Sequence, residues 1–307
     1  MTLPHTQTGL YVNKNKNTQQ PTQINMHSTY TLSIEADVTA ALKEDLGGTL
    51  NPERDITANL IDANTQCEAK IITRESGILC GRKWAEQSFF QIDPNIKLNW
   101  LKDDGDKLKQ NDTLVTIHGM ARAIMTAERT ALNFLQFLSG TATTTHSYQK
   151  HFENTQTTIL DTRKTIPQYR NAQKYAVACG RGGNHRMGLY DAFLIKENHI
   201  KACGSIEKAV TKARSTYPNI PIEIEVESLE ELHKAIDADA DIVMLDNFND
   251  QQVLEAVLIA NGKCKLEVSG NITEERLLKL AKTGVDYVSS GALTKHVKAL
   301  DLSLLIV

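Results

Sequence analysis

Residues 221–227 read PIEIEVE, and this short run is the most informative part of the sequence about the fold. Successive side chains of a β-strand point to opposite faces, so Glu223, Glu225 and Glu227 share one face. If helices cover the outside of a parallel sheet, these carboxylates must face a polar interior, where cations can pair with them. The pattern therefore favours a barrel-like sheet. An edge strand with a solvated acidic face would show the same alternation and is the alternative.

On both sides of this strand, the second half of the chain alternates short β-rich runs with helical stretches. Helix signals separate the runs, such as Ser205 at a helix start, a capping box at 228–231, and Gly262 and Gly284 after helices. Repeated strand and helix predict a parallel sheet covered by helices, either open and doubly wound or closed into a barrel. The six predicted strands are Thr157–Asp161, Ala192–Lys196, Pro221–Glu227, Asp241–Asp246, Lys265–Gly270 and Val285–Gly291.

The first half of the chain has a different pattern. Apolar residues at helical spacing from Ser33 predict a helix that ends at Gly47-Gly48. Short apolar alternations between residues 67 and 120 predict a small antiparallel sheet. Residues 127–138 predict a second helix, which we expect to end at Ser139-Gly140.

The length of 307 residues favours two domains, or a barrel with an appendage. Residues 1–26 are dominated by Thr, Asn, Gln and Lys, a composition typical of a disordered polar extension. We therefore expect a first domain over residues 27–139 and a barrel domain over residues 140–307.

Composition excludes several classes of protein. The chain has 34 basic and 37 acidic residues, a net charge of −3, so a globally basic nucleic-acid binder is not expected. No apolar run approaches the roughly 20 residues that span a bilayer, and residues 1–26 are too polar for a signal peptide. These features predict a cytoplasmic protein without a membrane partner. The five cysteines are widely spaced without a C-x-x-C pair, which predicts small apolar residues rather than disulfides or a zinc site.

The most informative stretch for function is residues 161–201, with eight basic and three acidic residues. Such a concentration predicts a site for a small, highly anionic ligand. Arg163 and Lys164 follow a strand end, where ligands bind in parallel α/β folds, and Lys196 closes another strand. For Arg170 and Lys174, spaced i and i+4, a solvated helix face is the alternative.

The loop at residues 180–188, GRGGNHRMG, has four glycines, two arginines and a histidine. Glycines permit the backbone to approach an anion closely while the arginines supply charge. The loop matches neither the P-loop nor the dinucleotide fingerprint. His185 beside Arg186 predicts a binding or proton-handling role.

Carboxylates and Ser-Gly pairs end the later strands. Glu225 and Asp246 can hold Mg²⁺, bind sugar hydroxyls or stabilise a developing carbocation. Small residues at Ser269-Gly270-Asn271 and Ser289-Ser290-Gly291 are typical of the late-strand phosphate site of barrel enzymes.

Six motifs in this order closely resemble the quinolinate phosphoribosyltransferase family, also called nicotinate-nucleotide pyrophosphorylase (carboxylating). The resemblance runs from about Thr31 to the C-terminus. The motifs are Glu128-Arg129-Thr130-Ala131-Leu132-Asn133, Asp161-Thr162-Arg163-Lys164-Thr165, Gly182-Gly183-Asn184-His185-Arg186-Met187-Gly188-Leu189, Leu194-Ile195-Lys196-Glu197-Asn198-His199, Glu223-Ile224-Glu225-Val226 and Leu245-Asp246-Asn247.

The resemblance implies an N-terminal α/β sandwich domain joined to an incomplete α/β (TIM-like) barrel, assembled as a homodimer whose active sites are completed by the neighbouring subunit. It also implies the reaction of NAD biosynthesis in which quinolinate and phosphoribosyl pyrophosphate, with Mg²⁺, give nicotinate mononucleotide, pyrophosphate and CO₂.

The resemblance also assigns roles to individual residues. Arg129 would cross the dimer interface, and Lys164, Lys196, Glu225 and Asp246 would be the catalytic residues. The pyridine dicarboxylate would be bound by Arg163, His185, Arg186 and Lys196, with Thr162 and Lys164. The ribose would contact Glu225 and Asp246, directly or through Mg²⁺, and the 5′-phosphate would lie on Ser269, Gly270, Asn271, Ser290 and Gly291. Asn271 stands where many family members have a second glycine.

Three other functions fit parts of the pattern. A nicotinate phosphoribosyltransferase would share the architecture, but four or five cations exceed the needs of one carboxylate. A barrel lyase or isomerase for phosphosugars would leave Arg163, Arg186 and Lys196 without a purpose. A non-catalytic anion-binding protein would be weakened by Glu225 and Asp246.

Overall fold

The computed structural model describes residues 33–307, and the predicted extension over residues 1–26 lies outside that range. The chain divides into two compact units. One comprises Thr31–His146, Asn171–Arg181 and Val297–Val307, and the other comprises Ser147–Arg170 and Gly182–His296. In chain order the helices and strands are α1 (Ile34–Asp45), β1 (Gln66–Thr73), β2 (Gly77–Ile78), α2 (Arg82–Ile92), β3 (Lys97–Trp100), β4 (Lys107–Leu108), β5 (Thr113–Met120), α3 (Ala121–Lys150), β6 (Thr158–Leu160), α4 (Arg170–Cys179), β7 (Phe193–Ile195), α5 (Glu197–Cys203), α6 (Ile206–Thr216), β8 (Ile222–Val226), α7 (Leu229–Asp237), β9 (Ile242–Asp246), α8 (Asp250–Ala260), β10 (Lys265–Ser269), α9 (Glu274–Leu280), β11 (Tyr287–Ser289), α10 (Ala292–Lys295) and β12 (Leu302–Ile306).

The first unit is built on the predicted antiparallel sheet, with strand order β12-β1-β5-β3. Ile71 of β1 lies opposite Leu304 of β12 and Val115 of β5, and the buried core beneath them includes Ile117 and Leu135. The C-terminal strand β12 therefore lies in this sheet, which differs from the expectation that residues 140–307 form one domain. Local patterns do not encode a strand pairing across more than 200 residues, because it forms only in the folded chain.

The predicted end of a helix at Ser139-Gly140 is wrong, because α3 runs for 30 residues and passes through both. A Cβ atom added at Gly140 would lie 2.2 Å from the Lys298 carbonyl oxygen. The Ser139 hydroxyl accepts from Cys80 N (2.9 Å) and donates to Cys80 O (3.1 Å). These two residues thus serve close tertiary packing rather than helix termination. Helix α2, which the sequence did not predict, belongs to the same unit.

The second unit contains all six predicted strands in one parallel sheet with the order β6-β11-β10-β9-β8-β7. The strands β7 to β11 lie side by side in chain order, and β6 pairs with β11 at the far edge of the sheet. Among the residues that the structure describes, β6 and β7 do not pair with each other, so the sheet is a barrel-like α/β structure left open between its first and second strands. This confirms the predicted fold class.

The alternating strand β8 has two neighbours, β7 and β9, so the edge-strand alternative is excluded. Its isoleucines and valine are fully buried. Glu223 is 1% exposed and Glu225 is half-buried, and each contacts a basic side chain as predicted. Glu227 lies beyond the end of the strand and is exposed.

Three of the cysteines, Cys80, Cys179 and Cys264, are buried as predicted for small apolar residues, and burial raises the pKa of the Cys80 thiol well above its usual range. Cys203, near the end of α5, is exposed instead. In the described part of the chain, no helix has the length and apolar character needed to cross a membrane.

Candidate active site

The site is built from the carboxyl ends of the strands in the parallel sheet. Because the strands are parallel, their carboxyl ends meet at one edge, where enzymes of this architecture bind their ligands. The predicted residues that lie at or shortly after the carboxyl ends of the six strands are Thr162, Arg163, Lys164, Lys196, Glu225, Asp246, Ser269, Gly270, Asn271, Ser290 and Gly291.

Asp161, directly after β6, anchors the glycine-rich loop. It is fully buried, and its Oδ1 accepts a hydrogen bond from His185 N (3.0 Å) while its Oδ2 accepts one from Asn184 Nδ2 (2.5 Å). Gly183 N also donates to Ile159 O at 2.8 Å. These bonds fix the loop beside the end of β6, a role that the sequence did not assign to Asp161.

Two arginines of this region, Arg163 and Arg186, interact electrostatically. Burial lowers the pKa of Arg186, and the positive charge of Arg163 lowers it further. Arg186 Nη1 donates to Ala192 O at 3.3 Å, whereas the buried Arg163 Nε has no hydrogen-bond partner among residues 33–307. Repelling cations with an unsatisfied buried donor are an arrangement that an anionic ligand would stabilise.

Asp191 is a residue that the sequence analysis missed. Its Oδ2 accepts from Met187 N (2.6 Å) and its Oδ1 from Gly188 N (2.9 Å), which closes the loop next to Arg186. Both N–H groups precede the aspartate in the chain, whereas the usual aspartate turn bonds backbone groups that follow it, so the sequence carried no established signal for this role.

The alternative of a solvated helix face is wrong for Arg170 and Lys174. Arg170 donates to Thr165 Oγ1 and to Met187 O, both at 3.1 Å, so it joins two loops of the barrel unit. Lys174, on α4 in the first unit, is fully buried.

Lys164 packs against the turn that follows β11. Its backbone N donates to Thr162 Oγ1 (3.1 Å), and the Thr294 hydroxyl donates to its carbonyl oxygen (2.9 Å). A Cβ atom added at Gly291 would lie 2.8 Å from Lys164 Cδ. Ser290 N donates to Leu160 O at 3.0 Å, which joins the turn to the end of β6. Glycine at position 291 thus leaves space for the lysine side chain.

Two carboxylates and two ammonium groups interact at the ends of β6, β7, β8 and β9. Lys196 Nζ forms an ion pair with Glu225 Oε2. Burial raises the pKa of Asp246, the Glu225 carboxylate raises it further, and Lys196 and Lys164 oppose these effects. Carboxylate oxygens are the ligands that Mg²⁺ prefers, and their mutual repulsion favours a cation, so Glu225 and Asp246 suit a magnesium ion.

The loop after β10 contains two residues with left-handed backbone conformations. Gly270 and Asn271 have φ values of 90° and 50°, in the left-handed region. Asn tolerates that region better than most residues, so it can stand in the place of a second glycine. Arg276 Nη1 donates to Gly270 O (2.5 Å), and Asn247 N donates to Ser269 O (3.2 Å).

Inside the sheet, His185 contacts two carboxylates. Its Nε2 lies 2.8 Å from Glu223 Oε2 and 3.6 Å from Glu267 Oε2. Burial, followed by the charge of Glu223, raises the pKa of Glu267 to about 8. The sequence analysis did not assign Glu267 a role, although a glutamate within the apolar run of β10 carries the same signal as those of β8.

Arg129 lies on α3, in the first unit, and its side chain is exposed. Its predicted position across a subunit interface stays a prediction.

The barrel-like fold and the cluster of cations and carboxylates at its strand ends are typical of an α/β-barrel enzyme that acts on anionic substrates. Residues 55–139 match the N-terminal domain of quinolinate phosphoribosyl transferase, and residues 141–305 match its C-terminal domain. The chain therefore belongs to the quinolinate phosphoribosyltransferase family.

Individual relatives agree with this assignment. A probable nicotinate-nucleotide pyrophosphorylase (carboxylating) of Bacillus subtilis is 42% identical over 251 residues, 81% of this chain and 87% of that protein. A quinolinate phosphoribosyltransferase (decarboxylating) of Nicotiana tabacum is 38% identical over 298 residues, which cover 91% of this chain and 83% of that protein. The solved nicotinate-nucleotide pyrophosphorylase from Francisella tularensis has a TM-score of 0.85 and 51% identity, covering 89% of this chain and 95% of its own.

Proposed function

We propose that this chain transfers the phosphoribosyl group of phosphoribosyl pyrophosphate to quinolinate with decarboxylation, giving nicotinate mononucleotide, pyrophosphate and CO₂ in NAD biosynthesis. The observation that carries the choice of substrate is the Arg163–Arg186 pair with its unsatisfied buried donor. One carboxylate would leave excess positive charge in this region, whereas a pyridine dicarboxylate supplies two anionic groups.

Quinolinate would bind over the cationic region. Guanidinium groups hold carboxylates through paired N–H bonds, so Arg163 and Arg186 would fix the substrate's orientation. The ammonium groups of Lys164 and Lys196 and the hydroxyl of Thr162 would complete the set, with His185 beside Arg186. Lys196 would then exchange part of its contact with Glu225 for contact with the substrate.

Phosphoribosyl pyrophosphate would bind along the later strand ends. Glu225 and Asp246 would contact the ribose hydroxyls and hold Mg²⁺, which supplies positive charge that offsets the developing charge of the pyrophosphate leaving group. The 5′-phosphate would lie on two loops that follow strand ends, Ser269-Gly270-Asn271 and Ser290-Gly291, and the first of these has left-handed backbone at Gly270 and Asn271.

The chemistry follows from these positions. The bond between C1 of the ribose and the pyrophosphate oxygen breaks through an oxocarbenium-like transition state, which the carboxylates of Glu225 and Asp246 stabilise. The pyridine nitrogen forms the new bond to C1 and becomes positively charged. The adjacent C–CO₂ bond then breaks, its electron pair stays on the ring carbon, and a proton replaces the lost carboxylate. Lys164 and Lys196 hold the charged groups in place during both steps.

The assembly proposed for the enzyme is a homodimer. Arg129 is exposed on α3 and would reach the active site of the other subunit, where it adds a further cation for the dicarboxylate.

A single-turnover experiment with carboxyl-labelled quinolinate tests the function and the order of its steps. We expect CO₂ and nicotinate mononucleotide in equal amounts, preceded by a dicarboxylated mononucleotide in the acid quench. CO₂ release without phosphoribosyl pyrophosphate would contradict the order, and absence of the mononucleotide would contradict the function.

A further inference from the structure

The loops after β9 and β10 are connected by the side chain of Arg276, a residue of α9 that has no role in the proposed chemistry. Its Nη1 donates to Gly270 O at 2.5 Å, and its Nη2 donates to Phe248 O. Its Nε lies 3.5 Å from Asp250 Oδ1, and only 14% of the side chain is exposed. One largely buried guanidinium group therefore joins two loops that follow neighbouring strands.

The contacts with Phe248 and Asp250 fix the position of the guanidinium group. Phe248 is 2% exposed, so its main chain belongs to a well-packed part of the barrel unit. Asp250 is the first residue of α8 and adds an opposite charge. A guanidinium is planar and its N–H groups have fixed directions, so holding Nη2 and Nε also determines the direction of Nη1. The donor that Gly270 O accepts from is therefore held in place by groups outside the β10 loop.

The hydrogen bond from Nη1 orients the peptide group that joins Gly270 to Asn271. No peptide bond among residues 33–307 is cis, and in a trans peptide the C=O and the N–H point in opposite directions. Because the oxygen of this peptide points toward Arg276, the N–H of Asn271 points away from it. Within the same residues, no group accepts a hydrogen bond from Asn271 N. Anions bind backbone N–H groups of this kind in turns with left-handed residues.

The beginning of the same loop is held by the loop after β9. A Cβ atom added at Gly270 would lie 2.4 Å from Asn247 Oδ1, so the two loops are in close contact. Asn247 N also donates to Ser269 O at 3.2 Å. These contacts fix Ser269 and Gly270, whereas the peptide that follows them is held by Arg276.

We propose that Arg276 is a positioning residue for phosphoribosyl pyrophosphate: it fixes the Gly270–Asn271 peptide so that Asn271 N–H donates a hydrogen bond to the 5′-phosphate. The arginine acts without contacting the phosphate, because a peptide that is already oriented loses less conformational entropy when the substrate binds. This inference rests on the proposed function of the site, in which the 5′-phosphate lies on Ser269-Gly270-Asn271.

Three variants test the proposal by steady-state kinetics: R276M, R276K and the matched control R214M. Arg214 also donates to a carbonyl oxygen, Asp239 O (3.1 Å), and to an aspartate, Asp241 Oδ2 (3.0 Å), but at the amino-terminal end of β9. We expect R276M to raise the KM for phosphoribosyl pyrophosphate about tenfold, as the loss of one charge-assisted hydrogen bond does, and the KM for quinolinate less than about twofold. R214M should leave both constants unchanged.

Two inhibitors that compete with phosphoribosyl pyrophosphate locate the effect on the substrate. R276M should weaken inhibition by ribose 5-phosphate about tenfold and inhibition by pyrophosphate less than about twofold, because only the first carries the 5′-phosphate. R276K keeps the charge but lacks the paired N–H groups, so it should resemble R276M. An unchanged KM for phosphoribosyl pyrophosphate in R276M, the same rise in R214M, equal weakening of both inhibitors, or wild-type behaviour of R276K would overturn the proposal.

A measurement on the wild-type protein keeps the proposal testable if R276M does not fold. With ¹⁵N-asparagine labelling, and N271G used to assign the resonance, we expect ribose 5-phosphate to move the amide proton of Asn271 downfield, as a new hydrogen bond to phosphate does. Pyrophosphate should leave it in place. An Asn271 resonance that ribose 5-phosphate does not move would overturn the proposal. Failure of the wild-type protein to form nicotinate mononucleotide would instead contradict the proposed function, so the two failures are distinguishable.

Discussion

At the scale of single residues, the Arg163–Arg186 pair is the feature that distinguishes a dicarboxylate from a monocarboxylate. We expect R163K to raise the KM for quinolinate at least tenfold, because an ammonium group cannot replace the paired N–H bonds of a guanidinium. The KM for phosphoribosyl pyrophosphate should change little. Initial rates with each substrate varied in turn measure this, and an exposed-site control such as R74K should leave both constants unchanged.

An equal effect of R163K on both KM values would contradict the assignment of Arg163 to the dicarboxylate.

The buried carboxyl of Glu267 gives a second prediction, on stability against pH. Its pKa is about 8 in the folded protein against an ordinary value of 4.5, so between these values the folded state binds a proton that the unfolded state has released. Its contribution to stability is fully present below pH 4.5 and is lost as the pH rises toward 8. The glutamine of E267Q has no proton to lose. We therefore expect the free energy of unfolding of E267Q to rise relative to that of wild type by roughly 1 kcal/mol for each pH unit between the ordinary pKa and the folded-state pKa of Glu267.

Urea denaturation of both proteins at pH 5 and pH 8 measures the difference. A constant difference between the two proteins at both pH values would show that Glu267 titrates normally and would contradict this prediction.

The sequence predicted the positions of residues that lie at strand ends, while the roles assigned to them stay predictions. Arg163, Lys196 and Asp246 each follow an apolar run, and parallel strands bring such positions together. Glu267 and Asp191 were missed because their roles depend on partners, His185 and the N–H groups of Met187 and Gly188, that only the folded chain brings within reach.

At the scale of secondary-structure elements, Gly140 tests why α3 does not end where a glycine predicts. We expect G140A to destabilise the protein by about 1–3 kcal/mol, although alanine favours helices, because the new methyl group would overlap the Lys298 carbonyl. N133A, at an exposed position of the same helix, is the matched control and should be neutral or slightly stabilising. Chemical denaturation measures both, and a stabilised G140A would contradict the packing.

The strands of the barrel unit were predictable because each is a short apolar run bounded by polar residues, as in β9. The strand β12 and the full length of α3 were not, because they depend on contacts between distant parts of the chain, such as β1 with β12. Periodicity reports the face of an element, whereas tertiary packing decides where the element ends and which strand lies next to it.

At the scale of the whole molecule, the proposed dimer with shared active sites predicts complementation. R129A and K196A should each be inactive, since one loses the cation supplied to the neighbour and the other loses a cation of its own site. In a mixed dimer, one of the two sites contains both native residues. If equal amounts of the subunits pair at random, about half of the dimers are mixed, so mixing should restore up to about one quarter of wild-type activity. Activity is measured after co-refolding, with each variant refolded alone as the control.

Complete inactivity of the mixture, despite exchange demonstrated by mass spectrometry of differently tagged subunits, would contradict the role of Arg129.

We propose that the cationic cluster at the strand ends binds a dicarboxylate for phosphoribosyl transfer. The most direct measurement is chromatographic product analysis after the protein is mixed with Mg²⁺, phosphoribosyl pyrophosphate and either quinolinate or nicotinate. We predict nicotinate mononucleotide from quinolinate and none from nicotinate. Product from nicotinate alone would contradict the claim.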